Sequence, residues 1–200
     1  DGAGNSTWCD NNTLYTYENP CVISSTERWN SSSLNCTGSV TSSITVRPIY
    51  YHQWNITFEV INGCGCDHTL PTINVSYSNT GVSKTGNATA GFYDWVDCGN
   101  HTFYENPKVI SPDQERWITD SANATDYNID TWQTIRPLYY HQWNVTFTFT
   151  KGIDCGHNAI IPVTYFDRGI SKVINATVSG NYTWCDCSAA YVYDNAYIVG

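Results

Sequence analysis

The sequence predicts an all-β protein: two tandem immunoglobulin-like β-sandwich domains plus one surplus terminal strand. Three observations carry that expectation: the balance of side chains, a strand pattern of period two, and an internal duplication. Among 200 residues there are 14 Val, 16 Ile and 24 Thr, against four Leu and no Met. β-Branched side chains lose rotamer freedom in helices and pack well on pleated surfaces, so this balance favours strands. Fifteen Tyr and eight Trp push the same way. No window sustains the i, i+3, i+4, i+7 spacing of an amphipathic helix.

The alternation is plainest in one segment of each half. Trp54, Ile56, Phe58 and Val60 alternate with Asn55, Thr57 and Glu59. Trp143, Val145, Phe147 and Phe149 alternate with Asn144, Thr146, Thr148 and Thr150. One apolar and one polar face is the period of a half-buried antiparallel strand.

The two segments belong to a duplication. Glu18-Asn19-Pro20 recurs as Glu105-Asn106-Pro107, and Glu27-Arg28-Trp29 as Glu115-Arg116-Trp117. Arg47-Pro48-Ile49-Tyr50-Tyr51-His52-Gln53-Trp54-Asn55 recurs as Arg136-Pro137-Leu138-Tyr139-Tyr140-His141-Gln142-Trp143-Asn144. The offset stays between 87 and 89 residues, too long for a solenoid repeat and suited to a sandwich. A third copy begins and stops. Trp8-Cys9-Asp10 matches Trp95 to Cys98 and Trp184 to Cys187, and Tyr17-Glu18-Asn19 matches Tyr104-Glu105-Asn106 and Tyr193-Asp194-Asn195. The expected division is therefore a boundary segment at 1–22, a first sandwich at 23–98, a second at 99–187, and a C-terminal strand at 188–200. The surplus copy is either part of a longer tandem array or a strand donated to another subunit.

Composition narrows the setting. A net charge of -9 and a pI near 4.7 argue against nucleic acid or an anionic membrane surface as partner. No run of eighteen apolar residues exists to span a bilayer. With Asp1 first and no apolar leader, a processed chain is expected. Nine Cys suit an oxidising compartment. Twelve N-glycosylation sequons begin at Asn5, Asn11, Asn30, Asn35, Asn55, Asn74, Asn87, Asn100, Asn123, Asn144, Asn175 and Asn181. Chance would give about four, from 20 Asn and 41 Ser plus Thr. The expectation is an extracellular, cell-surface protein under a coat of covalent N-glycans, with Asn55 and Asn144 on the outward face of their strands.

No catalytic constellation stands out. The acidic residues show no carboxylate pair for glycoside hydrolysis, and there is no phosphate loop and no nucleophile elbow. Cys64-Gly65-Cys66-Asp67-His68 looks like a metal motif, but its Cys pair is one residue apart, and the second unit keeps only Cys155 and His157. A disulfide is the expected use, with no metal and no cofactor. His52 and His141 are expected to pack within their strands, and the Trp residues to serve the core more than a sugar platform.

The duplication suggests the disulfides. Cys66 and Cys98 map onto Cys155 and Cys187 at one offset, giving Cys66–Cys98 and Cys155–Cys187. Cys21 and Cys36 lack counterparts and would close a local loop. Cys9 and Cys64 correspond to Val96 and Ile153, turning apolar together, and would pair. Nine is odd, which leaves Cys185 for a bond to another chain.

The Arg116–Asp120 stretch and the Arg136–Gln142 strand, with the sequons and the low charge, resemble secreted β-repeat proteins of thermophilic archaea. The general plan is similar to glycosylated thread-like filaments whose immunoglobulin-like subunits are joined by donor-strand complementation. That resemblance implies a structural, non-enzymatic subunit that meets identical subunits head to tail. The donated segment would be 1–22 or 188–200, and the sequence leaves that choice open. The alternative is a carbohydrate-binding or adhesin module of a larger cell-surface repeat protein. A secreted hydrolase is the third reading.

Overall fold

A computed structural model of the chain describes residues 4, 6–32, 36–63, 65–119, 126–152 and 159–198. It is all-β, with one short 3-10 turn at Ala88–Ala90 among the described residues. The strands are β1 (Thr13–Thr16), β2 (Cys21–Val22), β3 (Glu27–Asn30), β4 (Thr37–Val40), β5 (Tyr51–Phe58), β6 (Ile61–Asn62), β7 (Asn74–Asn79), β8 (Val82–Asn87), β9 (Phe92–Asp97) and β10 (His101–Tyr104). There follow β11 (Lys108–Ser111), β12 (Glu115–Thr119), β13 (Tyr127–Asn128), β14 (Gln133–Ile135), β15 (Leu138–Phe147), β16 (Ala159–Asp167), β17 (Ile170–Ala176), β18 (Asn181–Asp186), β19 (Val192–Tyr193) and β20 (Tyr197–Ile198).

The duplication in sequence is a duplication in register. Arg28 lies opposite Gln53 and Trp29 opposite His52, just as Arg116 faces Gln142 and Trp117 faces His141. The long strands β5 and β15 then pair with β9 and β18 at matching positions, Gln53 with Asp97 and Gln142 with Asp186. The shared motif exists because these residues form one buried polar ladder. Arg28 Nε donates to Gln53 Oε1 at 2.9 Å, and Gln53 Nε2 donates to Asp97 Oδ1 at 2.8 Å. Asp97 in turn accepts from the backbone N–H groups of Thr80 and Gly81 at 2.8 and 2.7 Å. The second repeat builds the same chain through Arg116, Gln142 and Asp186, which accepts from Arg168 and Gly169. Both Gln side chains are fully buried, so every step must be satisfied to offset desolvation. The guanidinium carbons of Arg28 and Arg116 sit 4.3 and 4.2 Å from the ring centroids of Trp95 and Trp184, which accounts for the third Trp of each motif. Gly81 and Gly169 turn each hairpin with φ of 73° and 72°. A Cβ on Gly81 would meet Tyr51 Oη at 2.5 Å, so glycine is required twice over.

Sheets do not respect the sequence boundary. Strand β10 lies beyond residue 98, yet it hydrogen-bonds to β7 of the first repeat, in the order β13-β10-β7-β8. Strands β14 and β6 also cross, pairing in parallel with β5 and β15. The main core follows suit. Ile56, Phe58, Ile73, Val75, Tyr77, Ala88 and Val96 of the first repeat pack with Tyr104, Trp117, Ile129, Ile135 and Tyr139 of the second. A smaller core holds Phe147, Val163, Tyr165 and Ala176, the later half of the second repeat alone.

Candidate functional site at the junction between repeats

Each repeat has a head, the strands up to the start of the long strand, and a tail, the hairpins after it. The junction is the tail of the first repeat closed over the head of the second. Tyr104 Oη donates to the Ile135 carbonyl at 3.1 Å, and Tyr139 Oη to the Glu105 carbonyl at 2.6 Å. The backbone N–H of Glu59 donates to the Ile135 carbonyl, and that of Gly63 to the Tyr139 carbonyl. Burial drives the phenols of Tyr104 and Tyr139 far above their ordinary range, so both remain neutral donors.

The head of the first repeat has the same residues without the cover. Tyr17 is 41% exposed where Tyr104 is 3%, and Trp29 is 40% exposed where Trp117 is 2%. Val46 and Tyr50 are half-buried where Ile135 and Tyr139 are buried, and Ile49 is 65% exposed. Strand β1 pairs with β4 as β10 pairs with β13, but among the described residues it has no second neighbour. At the other end lies the tail of the second repeat. Its β16 pairs instead with β19 and β20 of the C-terminal segment. Val163 faces Tyr193 there, as Val75 faces Tyr104 at the junction. The Tyr193 ring sits 6.1 Å from Phe147, matching the 6.3 Å between Tyr104 and Phe58.

The junction also gathers donor atoms from both repeats. Cys66 and His68 come from the loop after β6, His141 from the middle of β15, and Cys187 from the end of β18. One donor atom from each lies within 4.8 Å of all the others. His68 Nδ1 is 3.0 Å from His141 Nδ1, and Cys66 Sγ is 3.9 Å from the same nitrogen. His141 is fully buried, stacked on Trp117 with centroids 4.7 Å apart, and its Nε2 is 2.9 Å from Glu115 Oε1. Burial pulls the His141 imidazole below its ordinary pKa, and nearby His68 adds to this against the opposing pull of Glu115. Its Nε2 faces Glu115 and its Nδ1 faces His68. The first repeat repeats half of this arrangement. His52 stacks on Trp29 at 4.8 Å, its Nε2 lies 2.9 Å from Glu27 Oε1, and the Cys98 N–H donates to the His52 carbonyl as that of Cys187 does to His141. The packing role expected for both histidines is what their rings perform. Sequence offsets pair Cys66 with Cys98 and leave His68 without a partner, because His141 and Cys187 are far along the chain.

The thiols depart from the expected pairing. Cys9, Cys21, Cys36, Cys98, Cys185 and Cys187 are free thiols, whereas Cys66 is disulfide-bonded. Cys66–Cys98 is corrected because Cys98 is a free thiol whose backbone N–H meets the His52 carbonyl, whereas the bonded Cys66 lies beside His141. The Cys187 thiol stands in the donor cluster rather than in a bond to Cys155, which, like Cys64, lies outside the described residues. Cys9 is an exposed thiol. Cys21 and Cys36 both flank the Tyr50 phenol as thiols, and burial, with Cys36 beside it, raises that phenol's pKa. Cys185 packs against the smaller core, and burial pushes its thiol up to about 11.

Asn5, Asn35 and Asn123 lie outside the described residues. None of the other nine sequon asparagines is buried. Asn11, Asn87 and Asn175 are exposed, while Asn30, Asn55, Asn74, Asn100, Asn144 and Asn181 are half-buried. The Asn144 side-chain nitrogen donates to the Asp113 carbonyl and its Oδ1 is buried, so this side chain lies against the surface rather than standing clear of it.

No protein-family model, curated protein or solved structure matches the chain.

Proposed function

We propose that the chain is a structural, non-enzymatic subunit of an extracellular, N-glycosylated filament, built of tandem immunoglobulin-like units that polymerise head to tail by strand donation. One observation carries this reading. The main core combines the tail of the first repeat with the head of the second, the head of the first repeat is uncovered, and the tail of the second is covered by the short C-terminal strands β19 and β20. A second copy of the chain supplies what each end lacks. The contact is heterologous, so it propagates rather than closing. By analogy with β10, the donated strand is β1, from the 1–22 segment. It adds to β16 of the preceding subunit, with Tyr17 filling the place that Tyr104 fills at the internal junction. The C-terminal strands β19 and β20 hold that groove before assembly and yield it on exchange. Glycans on exposed sequons keep a weakly charged fibre soluble.

The exposed Trp8, Trp29 and Tyr17 favour the alternative of a carbohydrate-binding or adhesin module. Two of the three, however, occupy positions that the second repeat buries in a protein interface. Deleting residues 1–22 should abolish fibres seen by electron microscopy, and deleting 188–200 should leave or speed them. If both truncated chains polymerise like the full chain, strand donation is wrong.

A further inference from the structure

The donor cluster at the junction is used neither by the core nor by strand exchange. Two imidazole Nδ1 atoms face each other at 3.0 Å, from different repeats, beside a thiol. On a tetrahedral zinc ion with bonds of about 2.0–2.1 Å, two such nitrogens would sit about 3.3 Å apart. The outer contact also fits. Ligating histidines commonly give their second ring N–H to a carboxylate, which fixes the tautomer and the ring plane. Glu115 Oε1 does this for His141 Nε2 at 2.9 Å, and stacking on Trp117 holds the ring from the side. Cys66 is in a disulfide, so its sulfur walls the site without supplying a thiolate.

We propose that His68 Nδ1, His141 Nδ1 and the Cys187 thiolate bind one zinc-like divalent ion, and that this ion clips the first repeat to the second. The set is two imidazoles and one thiolate, which suits a borderline-soft, tetrahedral ion over calcium or magnesium. His68 is exposed on a loop held by the Asn62 side chain donating to the His68 carbonyl at 3.3 Å, by the Cys66 disulfide and by Leu70 against the main core, and the ion would add a tie at its imidazole. The His68 loop and the buried His141–Cys187 pair come from different repeats, so binding adds directly to their association. This goes beyond the filament reading and does not depend on it, because all three ligands belong to one chain.

The test uses the full chain in its unassembled fraction. The protein is loaded with zinc or with cobalt as a coloured stand-in, dialysed against metal-free buffer, and assayed for metal per chain. The expected result is retention of one ion at this site, with a thiolate-to-cobalt charge-transfer band. Cys187→Ser should abolish that band. His68→Ala should cost one ion per chain, or at least tenfold in affinity, and its exposed position makes misfolding no explanation. Glu115→Gln should weaken binding about 10–100-fold. Chelation should lower the melting temperature of the parent and leave that of His68→Ala unchanged. The proposal is overturned if the parent and His68→Ala retain equal metal, or if unreduced peptide mapping finds Cys187 in a disulfide. Fibre formation is scored separately, so a missing ion and a missing polymer are distinguishable failures.

Discussion

The two heads of this molecule carry nearly the same motifs and live in different surroundings. Trp117, Tyr139 and Tyr104 are sealed under the tail of the first repeat, and their equivalents Trp29, Tyr50 and Tyr17 are not. The difference teaches that the packed unit is out of phase with the sequence repeat. A repeat is a tail waiting for a head, and the interface between repeats is made of core rather than of surface. Trp29 and Tyr17 expose apolar surface that the second repeat buries at the same positions.

The largest expected effect separates the two heads directly. Trp117→Ala should destabilise the unassembled chain by about 3–5 kcal/mol, the range for a large buried aromatic. Trp29→Ala should cost less than about half of that while impairing assembly. Urea unfolding of both variants decides this, and equal losses would mean that the two heads are equally packed.

Next come the hairpin glycines, where the comparison can be sharpened. Gly81→Ala forces a Cβ to 2.5 Å from Tyr51 Oη at a φ of 73°, whereas in Gly169→Ala the nearest atom, Tyr140 Oη, is 3.1 Å away. Both should destabilise by about 1–3 kcal/mol, Gly81→Ala the more. Thermal melts that rank them the other way would contradict the close approach at Tyr51.

A smaller effect depends on pH. Gln142 Nε2 donates to Asp167 where Gln53 donates to Asn79, so only the second repeat has a titrating group at this point. Burial alone would raise the Asp167 pKa. Hydrogen bonds from Gln142 and Arg168, with the charges of Arg168 and Arg116, outweigh it and hold the carboxyl below its ordinary value. Its contribution is therefore fully present above the unfolded-state pKa of about 3.9 and is lost as pH falls below it. The side chain is partly exposed, so the term should be under about 1 kcal/mol. Asp167→Asn should flatten that part of the acid limb in urea unfolding, and an unchanged limb would show that Asp167 does not contribute.

Glycosylation is the mildest perturbation of the fold. Asn11, Asn87 and Asn175 stand exposed, and Asn87 Oδ1 caps the 3-10 turn through the Thr89 and Ala90 N–H groups. That arrangement leaves the side-chain nitrogen of Asn87 to carry a glycan. Protein from its native source should exceed 22.4 kDa in intact mass and fall toward it on deglycosylation. A bare mass would remove the coat from the picture.

Much of this was legible in the sequence, for stated reasons. Period-two alternation marked β5 and β15, and near-identity at constant offset marked equivalent strands, because both are local signals. The surplus copy of the Trp-to-Pro segment pointed to an extra strand. Three things were not legible. That β10 belongs to the sheet of the preceding repeat depends on which edge it meets, and no local pattern encodes that. The Cys pairing inferred from equivalent positions put Cys66 and Cys98 together, although offsets say nothing about distance across a repeat. The cluster around His141 was hidden because its members come from separate segments. The spacing Cys66-Asp67-His68, recurring as Cys155-Gly156-His157, was the one signal that could have raised it.

The central claim is that the uncovered head belongs under the tail of another copy. At the internal junction Phe103 pairs with Ser76 and Tyr104 with Val75. In the proposed assembly the equivalent contacts between chains would be Thr16 with Thr164 and Tyr17 with Val163. The direct measurement is oxidative cross-linking of assembled protein carrying Thr16→Cys and Thr164→Cys, read by mass spectrometry of the linked peptides. The expected result is a 16–164 link joining different chains, giving a ladder of multimers that each single variant fails to give. Assembled fibres without that link would contradict donation of β1 to β16.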